Sequence, residues 1–241
     1  ELWDGCVGAW NPGLGNTGLV LRDWSGNGNQ NSGTLTNGPT WGVADGRQAL
    51  TFDGVDDYVD IGSKTLNSTE PFSICWRENV LPSPATYPSR FRLQTSIGRD
   101  LGIIRTDVAS YYGIALFHIS AGASMRFPTT PSVASGVGVW RHFTLTMAAG
   151  PSSTVTTDYK LTVDGTVHAA QNSDYGLYSG NASRIGWDGA DNGAGAVMDD
   201  VRFYNRVITP NEIQLLAQRP GIAYELARRK TYFVQAATST S

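Results

Sequence analysis

The stretch Gly46–Gly62, "GRQALTFDGVDDYVDIG", decides how this chain folds. In its first half Leu50 and Phe52 alternate with Ala49 and Thr51. In its second half Val59 and Ile61 alternate with Tyr58 and Asp60. A period of two sends successive side chains to opposite faces of a strand, so each half reads as a strand with one buried face. Asp53-Gly54 between them is a turn dipeptide, which predicts that the two strands form a hairpin. Asp53, Asp56, Asp57 and Asp60 gather around that turn, either as a solvated turn or as a cation site.

The same signal recurs along the chain. "CVGAW" (6–10), "FSICW" (72–76), "WRHFTLTM" (140–147) and "AVMDDVRFYNR" (196–206) all have strand character. "DYKLTVDGTVHAA" (158–170) is the clearest hairpin, with Asp164-Gly165 as a type I′ turn. Glycine makes up 28 of 241 residues, well above the usual ~7%, and only 16% of residues are charged. Short strands joined by tight turns fit that composition. One helix is legible, at "ITPNEIQLLAQ" (208–218). Thr209 is its N-cap, Pro210 occupies its first position, and Glu212 completes a capping box.

The formal net charge is −3, and no run of eighteen apolar residues occurs. Neither nucleic-acid binding nor membrane insertion is expected. Cys6 and Cys75 lie in apolar strand contexts and read as two inert core thiols.

Several phrases in order resemble the laminin G-like family of concanavalin A-like jelly rolls. They run from "LWDGCVGAW" through "DWSGNGNQN", "GRQALTFDGVDDYVDIG", "PFSICW", "WRHFTLTM" and "LTVDGT" to "MDDVRFYNRVITPNEIQLL". Between them, "RENVLPSPATYPSRFRLQTS" departs from the family's usual run. The resemblance implies an all-β, two-sheet antiparallel jelly-roll sandwich over residues 1–218, with one short helix near its C-terminal end. Beyond the resemblance, residues 219–241 read as an extended C-terminal arm. Members of the family serve as glycan-binding modules, adhesion domains and parts of surface assemblies, so the resemblance fixes no activity.

The residues supply no catalytic constellation. Glycan hydrolysis needs two carboxylates facing the sugar bond, and no two glutamates alternate on a strand. His118, His142 and His168 sit in strand patterns without a nucleophile motif. A non-enzyme is expected. The oxygen-rich loop "DWSGNGN" suits calcium, which takes six to eight oxygens. Asp23, Asn27 and Asn29 would supply them, and the resemblance places Asp199 and Asp200 beside that loop. On a regular strand those two acids face opposite sides, so only one would reach the ion. The alternative is that Asp23 and the asparagines cap turns through their own backbone.

Trp10, Trp76 and Trp140 are expected in the core. Trp24, Tyr175, Tyr178 and Trp187 lie in polar, glycine-rich loops and are the candidates for stacking on sugars. Two readings follow. One is a non-catalytic structural or recognition component of an extracellular assembly or virus particle surface, with glycan binding through those aromatics. The other is a carbohydrate-binding module of a larger secreted enzyme or adhesin. The arm carries four Lys/Arg against one acid, unlike the acidic body. Arg228, Arg229 and Lys230, followed by Tyr232 and Phe233, suit an added strand on a copy of the chain or another assembly protein.

Overall fold

The computed structural model describes residues 2–14, 18–26, 31–62, 65–67, 69–82, 88–95, 100–106, 113–117, 124–128, 136–151, 155–173, 183–186 and 193–222. Among them the strands are, in chain order, β1 (Cys6–Trp10), β2 (Val20–Leu21), β3 (Gly33–Thr36), β4 (Thr40–Ala44), β5 (Arg47–Asp53) and β6 (Tyr58–Asp60). Then come β7 (Thr65–Leu66), β8 (Phe72–Val80), β9 (Ser89–Thr95), β10 (Asp100–Thr106), β11 (Gly113–Phe117) and β12 (Ser124–Pro128). The set closes with β13 (Trp140–Met147), β14 (Tyr159–Val163), β15 (Thr166–Ala169), β16 (Gln171–Ser173), β17 (Arg184–Ile185) and β18 (Gly195–Tyr204), before helix α1 (Pro210–Gln218).

Two sheets result. Sheet A runs β15-β14-β13-β8-β18-β5-β4, with β1 also on β18. Sheet B runs β16-β12-β11-β10-β9-β17-β6-β3-β2, with β7 beside β9. Among the described strands every pairing is antiparallel except β7 with β9. This is the expected sandwich. The β14–β15 hairpin also forms as read, with Asp164 and Gly165 both at positive φ.

The Asp53-Gly54 hairpin does not form. β5 pairs with β4 and β18 in sheet A, whereas β6 pairs with β3 and β17 in sheet B. The segment between them is a corner that carries the chain from one sheet to the other. Both halves still bury one face, so alternation alone could not separate a hairpin from a sheet crossing.

Aromatic rings interlock between the sheets. Trp76 stacks on Phe143 with centroids 5.0 Å apart and meets Phe91 edge-on at 5.1 Å. Trp10 meets Phe203 at 4.9 Å. Beside these rings Glu78 of β8 and Arg90 of β9 form a fully buried ion pair across the sandwich. A second apolar layer, which includes Leu2, Cys6, Cys75, Tyr204, Ile213 and Leu216, covers part of the outer face of sheet A. Cys6 and Cys75 are free, and burial pushes both thiols up to about 12. β18 lies between their strands, two strand spacings or ~10 Å apart, which is beyond disulfide reach.

Helix α1 starts as the capping box dictates. Thr209 Oγ1 accepts from Glu212 N, and Glu212 Oε2 accepts from Thr209 N at 2.8 Å. Arg206 grips the same carboxylate at 2.7 and 2.9 Å. Packing continues past the helix. Arg47 donates to Pro220 O, Gly221 N donates to Asp200 Oδ2, and Ile222 is buried. The root of the expected arm therefore lies on the sandwich, while Arg228, Arg229, Lys230, Tyr232 and Phe233 lie outside the described residues.

The Arg206 guanidinium, then the Thr209 donors, hold the Glu212 carboxyl down to about 2 from an ordinary value near 4.5. A depressed carboxylate pKa stabilises the fold above the unfolded value and loses that contribution as pH falls toward the folded one. The expected result is a stability gap between wild type and Glu212→Gln at pH 7 that closes between about pH 4.5 and pH 2. Urea unfolding at several pH values measures it.

Candidate recognition surface

The described members of the expected calcium cage do not converge. Asp23 is buried, and its Oδ1 accepts from Ala9 N and Ser25 N, both at 2.9 Å. Its Oδ2 accepts from Ser25 Oγ at 2.9 Å. Asn31 continues the attachment, donating to Val7 O and accepting from Trp10 Nε1. The loop thus pins β1 through its own side chains.

Asp199 is held by Arg47 at 2.8 Å, and Asp200 takes a bidentate grip from Arg202, Nε donating to Oδ1 and Nη2 to Oδ2, both at 2.9 Å. A bulge with Asp200 at φ 53° breaks the register here, so the two acids do not split between opposite faces as regular alternation would require. Guanidinium groups and backbone N–H groups use the carboxylates that calcium would need. Asp23, Asp199 and Asp200 do not fit that ion, and Asn27 and Asn29 lie outside the described residues.

Among the described residues, one acidic group has metal-ligating closeness. Carboxylate oxygens of Asp53, Asp56 and Asp57 lie within 4.8 Å of one another at the β5–β6 corner. Asp57 is buried, and its Oδ2 accepts from Asp53 N at 2.8 Å. Desolvation raises the Asp57 carboxyl, and the charges of Asp53 and Asp56 raise it further. Asn37 braces the corner by donating to Asp56 Oδ2 at 3.0 Å. Gly193 N donates to Val55 O, and Ala194 N donates to Gly186 O. At Gly186, φ is 108° and an added Cβ would come within 2.7 Å of the Phe52 ring, so only glycine fits.

Next to this corner the outward face of sheet B carries a polar row. Asp60, Arg184 and Arg92 are register partners on β6, β17 and β9, while their neighbours Val59, Ile185 and Phe91 point into the core. Arg184 lies over the Tyr58 ring at 4.3 Å. Tyr58, Arg92 and Arg184 are half-buried. Helix α1 and strand β1 pack on sheet A, so neither covers this face. Arg184 covers one face of the Tyr58 ring, and the stacked pair with its neighbouring guanidinium and carboxylate groups makes a planar polar platform of the kind that bonds adjacent sugar hydroxyls.

Of the aromatic candidates, Trp24 is exposed at 38%, and Tyr175, Tyr178 and Trp187 lie outside the described residues. Trp187 lies in the undescribed stretch 187–192, whose described neighbours are Gly186, two residues after Arg184, and Gly193 at the acidic corner. Trp10 and Trp76 are core residues, as expected. Trp140 is not. Phe143, Leu145 and Met147 face the core, so Trp140 shares the outward parity and is half-buried with Arg77 over its ring. Sequence reasoning also missed Tyr58, Arg92 and Arg184. Alternation with Val59 and Ile61 exposes Tyr58, but nothing local pairs β17 with β6 and β9.

The family model of the concanavalin A-like lectin/glucanases superfamily, a laminin G model, matches residues 53–214. Domain 4 of AbnA, an extracellular GH43 arabinanase from Geobacillus stearothermophilus solved with arabinotriose, is similar at TM-score 0.63 and 13% identity. That likeness covers 88% of this chain and 98% of that one. Trypanosoma rangeli sialidase is similar at TM-score 0.59 and 17% identity, over 88% of this chain and 32% of the sialidase. The HCR/D W1238A mutant is similar at TM-score 0.58 and 12% identity, over 90% and 51%. The chain thus spans about a third of the sialidase. No curated protein matches it.

Asp23→Ala removes three hydrogen bonds and strands the buried Ala9 N–H. The expected cost is ~2–4 kcal/mol, equal in calcium and in chelator, measured by denaturant unfolding.

Proposed function

The chain belongs to the laminin G-like family of the concanavalin A-like lectin/glucanases superfamily, and on that premise we propose that it is a non-catalytic glycan-recognition domain of an extracellular or virion-surface assembly. The observation that carries this reading is the Tyr58–Arg184–Arg92 row beside the acidic corner. It offers a ring and planar hydrogen-bonding groups on an outward sheet face, beside Gly186. Calcium belongs in the same proposal at Asp53, Asp56 and Asp57, whose hard oxygens suit it and whose mutual repulsion it relieves. Bound there, it would brace the corner that Gly193 joins through Val55 O. Trp24, Tyr175, Tyr178 and Trp187 remain further aromatic candidates for the same role.

Arabinotriose and a glycan array are the probes, each used in calcium and in chelator. Saturable binding is expected, weakened ~10-fold or more in Tyr58→Ala and Arg92→Ala. Asp57→Asn should remove any calcium dependence. No binding in any condition would end the recognition reading.

A second reading, a carbohydrate-binding module of a larger secreted enzyme, draws support from the likeness to a whole domain of the arabinanase. The arm separates the two. In the assembly reading, residues 223–241 dock basic Arg228, Arg229 and Lys230 and alternating Tyr232 and Phe233 onto another copy or another assembly protein. Because Ile222 is buried, the cut belongs after it. Deleting 223–241 is expected to leave a folded domain that no longer assembles. Light scattering of both forms decides, and unchanged assembly would favour the module.

A further inference from the structure

The outer face of sheet A carries a second polar patch that the reading above does not use. Asn79 is the register partner of Trp140 and Val197, and Arg77 is the partner of His142 and Asp199. The residues between them on β8, Trp76 and Glu78, point into the sandwich, so these partners share the outward face. Two strand spacings by one two-residue repeat give a patch of ~10 by ~7 Å, the size of one or two sugar rings.

Its hydrogen bonding is incomplete. Asn79 Oδ1, Trp140 Nε1, His142 Nδ1, Asp199 Oδ1 and Arg77 Nη1 are buried atoms with no hydrogen-bond partner. His142 is 4% exposed and Asp199 is 1% exposed. Arg77 Nη1 is 3.9 Å from Asp199 Oδ2, an ion-pair distance too long for a hydrogen bond. Fifteen such atoms occur among the described residues, and these five stand out because they share neighbouring outward positions on three adjacent strands. Asn79, Trp140 and Arg77 are half-buried and form the solvent-facing rim of the patch over His142 and Asp199, so a ligand would meet the five buried atoms by turning those rim side chains aside.

The atoms specify the ligand chemistry. Arg77 and Trp140 can only donate, and Asp199 Oδ1 and Asn79 Oδ1 can only accept. Burial lowers His142 to about 4, so its ring is neutral and can do either. An anion would be repelled by the Asp199 carboxylate, and an ammonium group could not accept from Arg77. Hydroxyl groups do both. We infer that this patch, formed by Asn79, Trp140, Arg77, His142 and Asp199, is a second binding site for a neutral polyhydroxylated ligand such as a sugar. It lies on the opposite sheet from the Tyr58 row and stands without it.

The test uses the full chain with its tryptophan indoles labelled for NMR, titrated with glucose, galactose, arabinose and arabinotriose. Trp140→Phe assigns the Trp140 indole N–H. The expected result is a saturable shift of that resonance by at least one sugar, retained in Tyr58→Ala and weakened ~10-fold in affinity by Asn79→Ala. Asn79→Leu, closer in volume, repeats the measurement if the alanine variant does not fold. Inorganic phosphate is expected to be silent. The inference is overturned if the Trp140 resonance stays still up to about 100 mM sugar. It is overturned equally by a linear, non-saturating shift, by an equal response to phosphate, or by unchanged affinity in both Asn79 variants. Loss of sheet B binding in Tyr58→Ala with the Trp140 shift intact would separate the two sites.

Discussion

Strand β18 is buried along its whole length, on both faces. An antiparallel sandwich strand ordinarily turns one face to water. Here Met198, Val201 and Phe203 fill the intersheet core, while Tyr204 meets the second layer on the outside. On the outer side Arg47 covers Asp199, Gly221 meets Asp200, and Leu2, Ile213 and Leu216 share an apolar cluster with Tyr204. Because Asp199, Asp200 and Arg202 share this buried strand, each needs a partner of opposite charge. Arg47 serves Asp199, and Asp200 serves Arg202. Well-packed apolar side chains could be as stable as such pairs. What the charges add is direction, since Arg47 also holds Pro220 O and Asp200 also holds Gly221 N. The buried acids thereby fix where the chain goes after the helix.

The bulge within β18 has a second consequence. Before it, residues 195–198 pair with β5; after it, residues 201–204 pair with β1. One strand therefore joins the acidic-corner side of sheet A to its N-terminal side. Asp200 can take its positive φ because aspartate tolerates the left-handed region better than most residues.

Much of this fold was legible locally. Asp164-Gly165 needs positive φ at both central residues, and the sequence offers the two residue types that accept it. Thr209, Pro210 and Glu212 specify a helix start without reference to the rest of the chain. Two of the misses were non-local, the sheet crossing after Asp53-Gly54 and the partner of Asp199. Asp53-Gly54 is a good turn, but whether the next strand joins the same sheet depends on β17 and β3, which are distant in sequence. The alternation "WRHFTLTM" already places Trp140 opposite in parity to Phe143, and its apolar surroundings hid that. The pairing of Asp199 with Arg47 spans 152 residues and leaves no local trace. Calcium at Asp23 was suggested by composition, and composition cannot tell whether an oxygen faces an ion or a backbone N–H.

The Glu78–Arg90 pair links the two outward faces. Glu78 lies between Arg77 and Asn79, and Arg90 lies two residues before Arg92. The ion pair therefore crosses the sandwich beneath the sheet A patch and beside the sheet B row. Arg90 is tied further, its Nη1 donating to Pro88 O and its own carbonyl accepting from Gly186 N. Ion pairs in a dry interior rarely gain net stability over apolar side chains. Their geometry is strict, however, because a guanidinium must meet a carboxylate in a fixed orientation. Sliding one sheet over the other by a single residue would leave two buried charges unpaired. Apolar contacts at the same place would tolerate such a slip far better. The pair thus holds β8 and β9 in one relative register, and the polar rows on opposite sides of the domain keep fixed positions with them.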